Sequence, residues 1–314
     1  MLTVFVATSD RASTLQRVLS SYMELIPPSG GWKLVLIHNG PDDGSAQVAR
    51  SFSGRLPLVI VSATRRGKNR ALNRGLRELE GDLAVFSDDD CLPDSDWLVR
   101  LRAAADSRSE YAVFGGAIAP LWTREPEDWI VRSLPLGPGP TFALTNPAWD
   151  EGPCDPARVW GPNMAIRAEA FRKGFRFDED RGPNGSETYA MGGETELTLR
   201  LAIAERLRCW HCADARVRHI VTPAMMTRGW VLRRSFRFGR CLFRESRQRG
   251  AARDPHIYRR PTGIHRYLAR NLAVLPLART SWADRWLAAR WHLSLSAGWL
   301  FEASRTHRRA PQCR

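Results

Sequence analysis

At residues 83–90 the chain reads Leu-Ala-Val-Phe-Ser-Asp-Asp-Asp, a short apolar run that passes directly into three carboxylates. Such a run is typical of a strand that is buried on both faces, as in the middle of a parallel sheet. In sheets of this kind, ligands bind outside the carboxyl ends of the strands. The stretch therefore predicts both a central strand and a polar site immediately after it.

Strand and helix patterns alternate on both sides of this stretch. Further strands are expected at residues 2–7, 32–38, 58–61 and 111–118, with helical spacing of apolar residues between them. This alternation predicts an α/β fold, a Rossmann-like and mostly parallel sheet with helices on both faces. Residues 121–162 are rich in Pro, Gly and Trp, and we expect them to form a long ordered loop region beside the site.

The basic charge of the chain is concentrated near its C-terminal end. The 314 residues carry a net charge of +14, but residues 228–314 alone hold 20 Arg, no Lys and four acidic residues. We therefore expect two domains, an α/β sheet domain at 1–227 and a basic, Trp- and Arg-rich helical extension at 228–314. A near-neutral sheet domain with an acidic centre lacks the basic, aromatic footprint of a nucleic-acid-binding protein, so no nucleic-acid partner is expected.

Five Trp residues are interspersed with Arg in the extension, and two interpretations remain open. Trp282, Trp286, Leu293 and Leu300 lie near one face of a predicted helix. This face suits an interfacial helix on an anionic membrane surface, or a helix that buries its Trp face on the catalytic domain. With scattered Cys residues, no secretory signal pattern and no apolar run of membrane-spanning length, we expect a cytoplasmic protein, with peripheral binding to the inner face of the cell membrane as an alternative.

The three adjacent carboxylates Asp88, Asp89 and Asp90 repel one another and need a compensating cation. Hard oxygen ligands suit Mg²⁺ or Mn²⁺, and Mg²⁺ commonly combines one or two carboxylates with substrate phosphates. A solvated acidic turn is the structural alternative, which the position at a strand end disfavours. The same rule places residues 8–10, after the first strand, at this edge of the sheet. No Gly-rich phosphate loop follows that strand.

Three further features carry weaker signals. Glu194 and Glu196 lie at a predicted helix start. Acidic residues are common there for structural reasons alone, because they interact favourably with the positive end of the helix dipole. Cys209 and Cys212 have the spacing of a zinc or redox pair, but no second pair stands at a matching distance, which favours a structural role. His219 closes a strand-like run, and a lone His is more often structural than a ligand.

The order and spacing of these segments resemble the family 2 glycosyltransferases of the GT-A fold, over roughly residues 2–240. The segments that carry the resemblance are 6–11 (Val-Ala-Thr-Ser-Asp-Arg), 37–40 (Ile-His-Asn-Gly), 67–75 (Gly-Lys-Asn-Arg-Ala-Leu-Asn-Arg-Gly), 86–90 (Phe-Ser-Asp-Asp-Asp), 161–167 (Gly-Pro-Asn-Met-Ala-Ile-Arg), 175–179 (Phe-Arg-Phe-Asp-Glu), 193–197 (Gly-Glu-Thr-Glu-Leu) and 213–219 (Ala-Asp-Ala-Arg-Val-Arg-His). Asn39 stands where the family usually carries an acidic residue, and Glu194 where it usually carries an Asp.

The resemblance implies a role for each segment. The metal would be held by Asp90, Asp88 and His219. The nucleotide-sugar donor would contact Thr8, Ser9, Asp10, Arg11, Asn39, Lys68, Arg70, Asn73, Asp88 and Asp89. Asn163, Glu196 and Arg200 would lie on the acceptor side. Glu194 would be the general base, with Asp178 as a weaker candidate.

A resemblance to this family implies a metal-dependent, inverting transferase. It would use Mg²⁺ or Mn²⁺ to move a sugar from a nucleotide-diphosphate sugar, most simply a UDP-sugar, to a hydroxyl of a saccharide or lipid-linked acceptor. Polysaccharide, cell-envelope or glycolipid synthesis would be its setting. Two alternatives remain: a nucleotidyltransferase that makes sugar nucleotides, and a catalytically inactive homologue that only binds them.

Overall fold

The computed structural model of the protein describes residues 1–41, 43–250, 261–274 and 281–309. Within these ranges the strands are β1 (Leu2–Thr8), β2 (Trp32–Asn39), β3 (Leu58–Ala63), β4 (Leu83–Asp88), β5 (Cys91–Pro93), β6 (Tyr111–Trp122), β7 (Gly152–Cys154), β8 (Met164–Arg167) and β9 (Arg208–Val221). The helices are α1 (Ala12–Tyr22), α2 (Ser45–Arg50), α3 (Lys68–Gly75), α4 (Trp97–Ser107), α5 (Asp128–Arg132), α6 (Pro138–Phe142), α7 (Ala168–Arg172), α8 (Gly193–Ala204), α9 (Arg228–Gly250), α10 (Pro261–Val274) and α11 (Trp282–Arg309).

The strands form one sheet in the order β3-β2-β1-β4-β8-β6-β9-β5, with β7 paired to β9. Strands β3, β2, β1 and β4 are parallel, so their carboxyl ends meet at one edge. Strand β4 pairs antiparallel with β8, and β6 with β8, β5 with β9 and β7 with β9 are antiparallel as well. The expected α/β fold is confirmed, but the sheet is mixed: β1 to β4 pair in parallel, whereas β8 joins both β4 and β6 antiparallel.

The apolar run that precedes the Asp triplet lies at the centre of the core. Phe86 stacks on Phe5 of β1 with ring centroids 5.3 Å apart, and Phe171 and Phe177 meet it edge-on at 5.7 and 5.2 Å. Aromatic pairs of this geometry add to the stabilisation from burial alone. The cluster fixes β4 against β1 and so fixes the position of the carboxylates that follow.

Helix α3 packs against the sheet at its last residue, Gly75. A Cβ added there would lie 2.7 Å from Cγ1 of Ile37 on β2, so a larger residue would push the helix outward. This close approach places the first residue of α3, Lys68, at the carboxyl edge of the parallel strands.

The chain divides into two compact units: residues 1–121, 142–185 and 193–220, and residues 122–141, 186–192 and 221–314. Helix α9 begins at Arg228, beside the domain boundary expected from the charge distribution. The second unit also includes residues 122–141 and 186–192, which lie before that helix in the sequence. The expected loop region 121–162 contains α5, α6 and β7.

Helices α9 and α11 of the second unit pack backbone to backbone. A Cβ added at Gly239 would lie 2.8 Å from the carbonyl carbon of Leu295, and one added at Gly298 would lie 2.8 Å from that of Phe236. The Glu302 carboxylate accepts hydrogen bonds from Nε of both Arg240 and Arg244, at 2.7 Å each. Part of the basic charge of the extension is therefore balanced inside the unit.

Replacing Gly239 with Ala should destabilise the second unit by about 1–3 kcal/mol, because the added methyl group meets backbone that cannot rotate away. Gly229→Ala is the matched control, since a Cβ on that residue of the same helix would meet only Nη1 of Arg233, at 3.5 Å. Urea unfolding followed by circular dichroism measures both variants. Equal stability of the two variants would contradict the backbone contact.

Candidate active site

An open pocket of about 280 Å³ lies at the carboxyl edge of the parallel strands. It is lined by residues 7–11 after β1, Asn39 at the end of β2, residues 66–68 at the start of α3, residues 88–90 after β4 and residues 183–185. The structure thus brings together in one pocket the predicted residues Thr8, Ser9, Asp10, Arg11, Asn39, Lys68, Asp88, Asp89 and Asp90. Asp10 holds the left-handed φ of 58° that bends the chain around the pocket.

Two cationic side chains balance the Asp triplet. Nη1 of Arg11 lies 2.9 Å from Oδ1 of Asp89 and also contacts the Asp90 carboxylate. Nζ of Lys68 lies 2.6 Å from Oδ1 of Asp88. The three adjacent carboxylates predicted a compensating cation, and the structure shows two within the protein, the side chains of Arg11 and Lys68.

The electrostatic environment separates Asp89 from Asp90. Burial raises the pKa of Asp89 to about 7, although the Arg11 guanidinium opposes the shift. Burial acts on Asp90 in the same direction, but His219 and Arg11 outweigh it and hold the pKa of that carboxyl well below its usual range. Asp90 is therefore the more firmly ionised of these two side chains and the better cation ligand.

His219 is oriented towards Asp90. Its Nδ1 lies 2.7 Å from the carbonyl oxygen of Phe142, to which it donates, and its Nε2 lies 3.5 Å from Oδ2 of Asp90. A backbone acceptor on one ring nitrogen is the usual support for a His whose other nitrogen binds metal. Across the described ranges no group of three or more His, Cys, Asp or Glu side chains is arranged to hold a metal ion. Asp90 and His219 supply one carboxylate and one imidazole, which are donor types that Mg²⁺ or Mn²⁺ accept together with oxygen ligands from elsewhere.

Glu194, the predicted general base, lies beside the pocket. Its Oε1 is 2.7 Å from Nζ of Lys68, and both side chains are 19% exposed. Burial opposes the charged form of Lys68, but the Asp88 and Glu194 carboxylates outweigh it and raise the pKa of the ammonium above its usual range. The ion pair keeps Lys68 protonated and Glu194 within reach of the pocket wall.

Asn39 is engaged with the loop that follows β3. Its Nδ2 donates to the carbonyl oxygens of Ala63 and Arg65, and its Oδ1 accepts from the backbone N–H of Gly67 at 2.8 Å. Both amide hydrogens are used, which leaves the second lone pair of Oδ1 for a ligand. Asn39 thus shapes the turn that leads into Lys68.

Arg70 and Asn73, which the resemblance implies contact the donor, hold the segment around residue 178. Nε of Arg70 lies 3.1 Å from the Glu179 carboxylate. The Asn73 amide exchanges two hydrogen bonds with the backbone of Phe177, at 2.9 and 3.0 Å. Both side chains lie on turns of α3 that follow Lys68, and neither lines the pocket.

The residues expected on the acceptor side are occupied by contacts within the protein. Asn163 is fully buried; it accepts from Nε1 of Trp97 and donates to the carbonyl oxygens of Ala117 and Ala215. Glu196 and Arg200 pair with each other along α8, at 2.8 Å. Asn163 therefore anchors the turn at residues 161–163.

Asp178, the weaker candidate for the base, is engaged in its own loop. Its carboxylate accepts from the backbone N–H of Asp180 at 2.9 Å and from Nε of Arg181 at 3.2 Å. Neither Asp178 nor Glu194 lines the pocket itself, but Glu194 contacts Lys68, which does.

Two features escaped the sequence analysis. Arg66 lines the pocket and pairs with Asp10 at 3.3 Å, a position signalled only by its place before Gly67. Gly161 leaves room for the Glu194 side chain, since a Cβ there would lie 2.6 Å from Cδ of Glu194.

The Cys209 and Cys212 thiols are buried, and burial raises the pKa of Cys212 to about 12, as expected of structural cysteines.

Solved glycosyltransferase structures share this architecture. The mannosyltransferase PcManGT from Pyrobaculum calidifontis, solved with GDP-Man and Mn²⁺, superposes with a TM-score of 0.61 over 96% of this chain and 87% of its own, at 18% identity. Residues 1–349 of Staphylococcus aureus TarS, solved with UDP-GlcNAc, superpose with a TM-score of 0.53 over 99% of this chain and 93% of theirs, at 13% identity. At these identities the similarity shows the fold, and it confirms the expected GT-A architecture with a helical extension.

Sequence comparison agrees with the fold. The curated glycosyltransferase AglE of Haloferax volcanii is 26% identical over 101 residues, which is 32% of this chain and 33% of AglE. The match thus spans about a third of that relative's length. The sequence model described as glycosyl transferase family 2 matches residues 3–175, which is more than half of the chain. The protein therefore belongs to glycosyl transferase family 2.

Proposed function

We propose that the protein is a metal-dependent, inverting glycosyltransferase that moves a sugar from a nucleoside diphosphate sugar to an acceptor hydroxyl. The observation that carries the proposal is the single pocket in which the Asp88–Asp90 carboxylates, Lys68 and Arg11 meet, with Glu194 beside it. A UDP-sugar is the first candidate donor, because UDP-GlcNAc is bound by TarS; PcManGT binds GDP-Man, which makes a GDP-sugar the second.

The pocket contains groups that suit a diphosphate. Arg11, Arg66 and Lys68 line it and can bind phosphate oxygens, while Asn39 orders the adjacent turn. Asp90 and His219, with Asp88 nearby, would hold Mg²⁺ or Mn²⁺, which neutralises the charge of the leaving diphosphate when it is bound.

Glu194 completes the reaction as general base. Its carboxylate would accept the proton of the acceptor hydroxyl while the hydroxyl oxygen forms a bond to the anomeric carbon and the bond from that carbon to the diphosphate breaks. Attack from the side opposite the leaving group inverts the anomeric centre. The acceptor is proposed to be a saccharide or lipid-linked hydroxyl in polysaccharide, cell-envelope or glycolipid synthesis.

The two alternative functions make different demands on the site. A nucleotidyltransferase that makes sugar nucleotides would be expected to carry a Gly-rich loop after its first strand, and residues 9–11 contain no Gly. An inactive homologue would bind donor without releasing nucleoside diphosphate, so turnover of a donor panel separates it from an enzyme.

Asp90→Asn should lower sugar transfer by at least about 100-fold, because a bound Lewis acid supplies several kcal/mol of charge stabilisation at the leaving group. It should also weaken Mn²⁺ binding. Nucleoside diphosphate release from a panel of UDP- and GDP-sugars, and Mn²⁺ titration by electron paramagnetic resonance, measure the two effects. Full activity of the variant, or of the wild type in excess chelator, would refute a metal role for this residue.

Glu194→Gln should lower kcat by about 10²–10⁴-fold without raising the donor KM, because a general base acts only as the acceptor attacks. Steady-state kinetics with saturating acceptor measures both constants. Asp178→Asn is the matched comparison and should leave kcat within a few-fold of wild type. If Asp178→Asn shows the loss of kcat and Glu194→Gln does not, the base is Asp178.

We further propose that the C-terminal helices bind an anionic membrane surface on the inner face of the cell membrane. Helix α11 buries Trp291 and Trp299, 3% and 1% exposed, whereas Trp282 and Trp286 on another side of the helix are 73% and 62% exposed. The exposed apolar side also includes Leu293, Leu300 and Phe301. Exposed Trp on an Arg-rich helix suits the interface of an anionic bilayer.

Among the described residues, no helix has both the length and the apolar character needed to cross a membrane.

The protein should therefore co-sediment with vesicles of phosphatidylglycerol and less with vesicles of phosphatidylcholine. High salt should reduce the binding without abolishing it, because salt screens the Arg contribution but not Trp burial. The double variant Trp282→Ser, Trp286→Ser should lose the salt-resistant part, and Ile26→Ser, which removes an exposed apolar side chain from the first unit, should not. A wild-type protein that ignores anionic vesicles at low salt would refute the proposal; if the exposed face instead joins two copies, the double variant would change the mass measured by light scattering.

A further inference from the structure

The ammonium group of Lys68 is shared between the pocket and the catalytic base. Its Nζ lies 2.6 Å from Oδ1 of Asp88, which lines the pocket, and 2.7 Å from Oε1 of Glu194. Lys68 itself lines the pocket. One ammonium group therefore lies in the pocket where a diphosphate would bind. The same group contacts the carboxylate that would take the proton from the acceptor hydroxyl.

Backbone packing fixes the separation of the two side chains. Lys68 and Asn69 begin α3, and Gly193 and Glu194 begin α8. A Cβ added at Gly193 would lie 3.0 Å from Cγ of Asn69, which is 1% exposed and donates to the Asp178 carbonyl oxygen at 2.7 Å. The two helix starts thus touch, and the Lys68–Glu194 ion pair does not depend on two freely moving side chains.

Gly161 forms the opposite wall of the space that the Glu194 carboxylate occupies. A Cβ there would lie 2.7 Å from Cγ and 2.6 Å from Cδ of Glu194. The turn cannot retreat easily, because Ser87 Oγ donates to the carbonyl oxygen of Pro162 at 2.9 Å and Asn163 is held by three hydrogen bonds. The carboxylate therefore lies between a rigid glycine turn and the Lys68 ammonium.

A diphosphate in the pocket would compete with Glu194 for this ammonium. It carries more negative charge than one carboxylate, and Lys68 already lines the pocket in which it would bind. We propose that Lys68 is a positioning residue that couples donor binding to the base: it pairs with Glu194 until a nucleoside diphosphate enters the pocket and draws the ammonium away. This inference rests on the proposed function.

The coupling has a chemical consequence for the order of events. A carboxylate that loses a neighbouring cation becomes a better proton acceptor. Glu194 would therefore reach full basicity only when donor occupies the pocket, and an acceptor hydroxyl would not be activated in a donor-free enzyme.

The coupling can be measured by binding alone, with no acceptor present. Isothermal titration calorimetry in Mn²⁺ would give the affinities of UDP, GDP and inorganic pyrophosphate for wild type, Glu194→Gln, Lys68→Met and the double variant. Glu194→Gln should tighten binding by about three- to tenfold, the size expected when one partly exposed competing ion pair is lost. In the Lys68→Met background the same change should gain less than about twofold, because the contested cation is gone.

Two controls separate this coupling from other effects. Glu179→Gln removes a carboxylate whose partner is Arg70 rather than Lys68, and it should not tighten binding. Lys68→Arg keeps the charge and should restore the gain from Glu194→Gln, which guards against a Lys68→Met protein that folds poorly.

An unchanged or weaker affinity of Glu194→Gln, or a gain of equal size in the Lys68→Met background, would overturn the inference while leaving the proposed function intact. Failure of the wild type to bind any of the three ligands would overturn the proposed donor class, and the inference with it.

Discussion

Charge compensation of three adjacent carboxylates at the end of β4 is the constraint on which the rest of the site depends. Asp89 and Asp90 are 7% and 8% exposed, so water cannot screen their repulsion fully. The compensating groups come from separate elements: Arg11 directly before α1 and Lys68 at the start of α3. Folding of the sheet therefore brings these cations to the carboxylates. The positions of the elements that carry them must satisfy the charge compensation of the Asp triplet.

The local sequence was enough to predict the parallel half of the fold and the location of the pocket. The apolar run at residues 83–87 and the carboxylates after it carry that information within a single stretch, as do the strand ends at residues 8–10 and Asn39. The antiparallel strands β8 and β9 were not foreseen as such, because the direction of a strand is set by its partner and not by its own pattern.

Predictions about single side chains fared unevenly for a related reason. Polar residues near a site look alike in sequence whether they point into the pocket or hold its walls. Asn163, Arg70 and Asn73 turned out to bind protein groups, and only the distant partners Ala215, Glu179 and Phe177 reveal it. The net charge of a segment likewise does not show which of its basic residues are paired within the protein. In the second unit, Arg240 and Arg244 both pair with Glu302.

The close approach of Gly75 to Ile37 has a consequence for reading mutational scans of this protein. Helix α3 runs from Lys68 at the pocket to Gly75 at the core, so a methyl group added at its far end would tilt the ammonium at the near end. A growth-based or activity-based scan would then score Gly75 beside the residues that line the pocket, although Gly75 itself lies in the core. For this helix, functional sensitivity and proximity to the chemistry are separate properties, and only a binding measurement alongside a stability measurement distinguishes them.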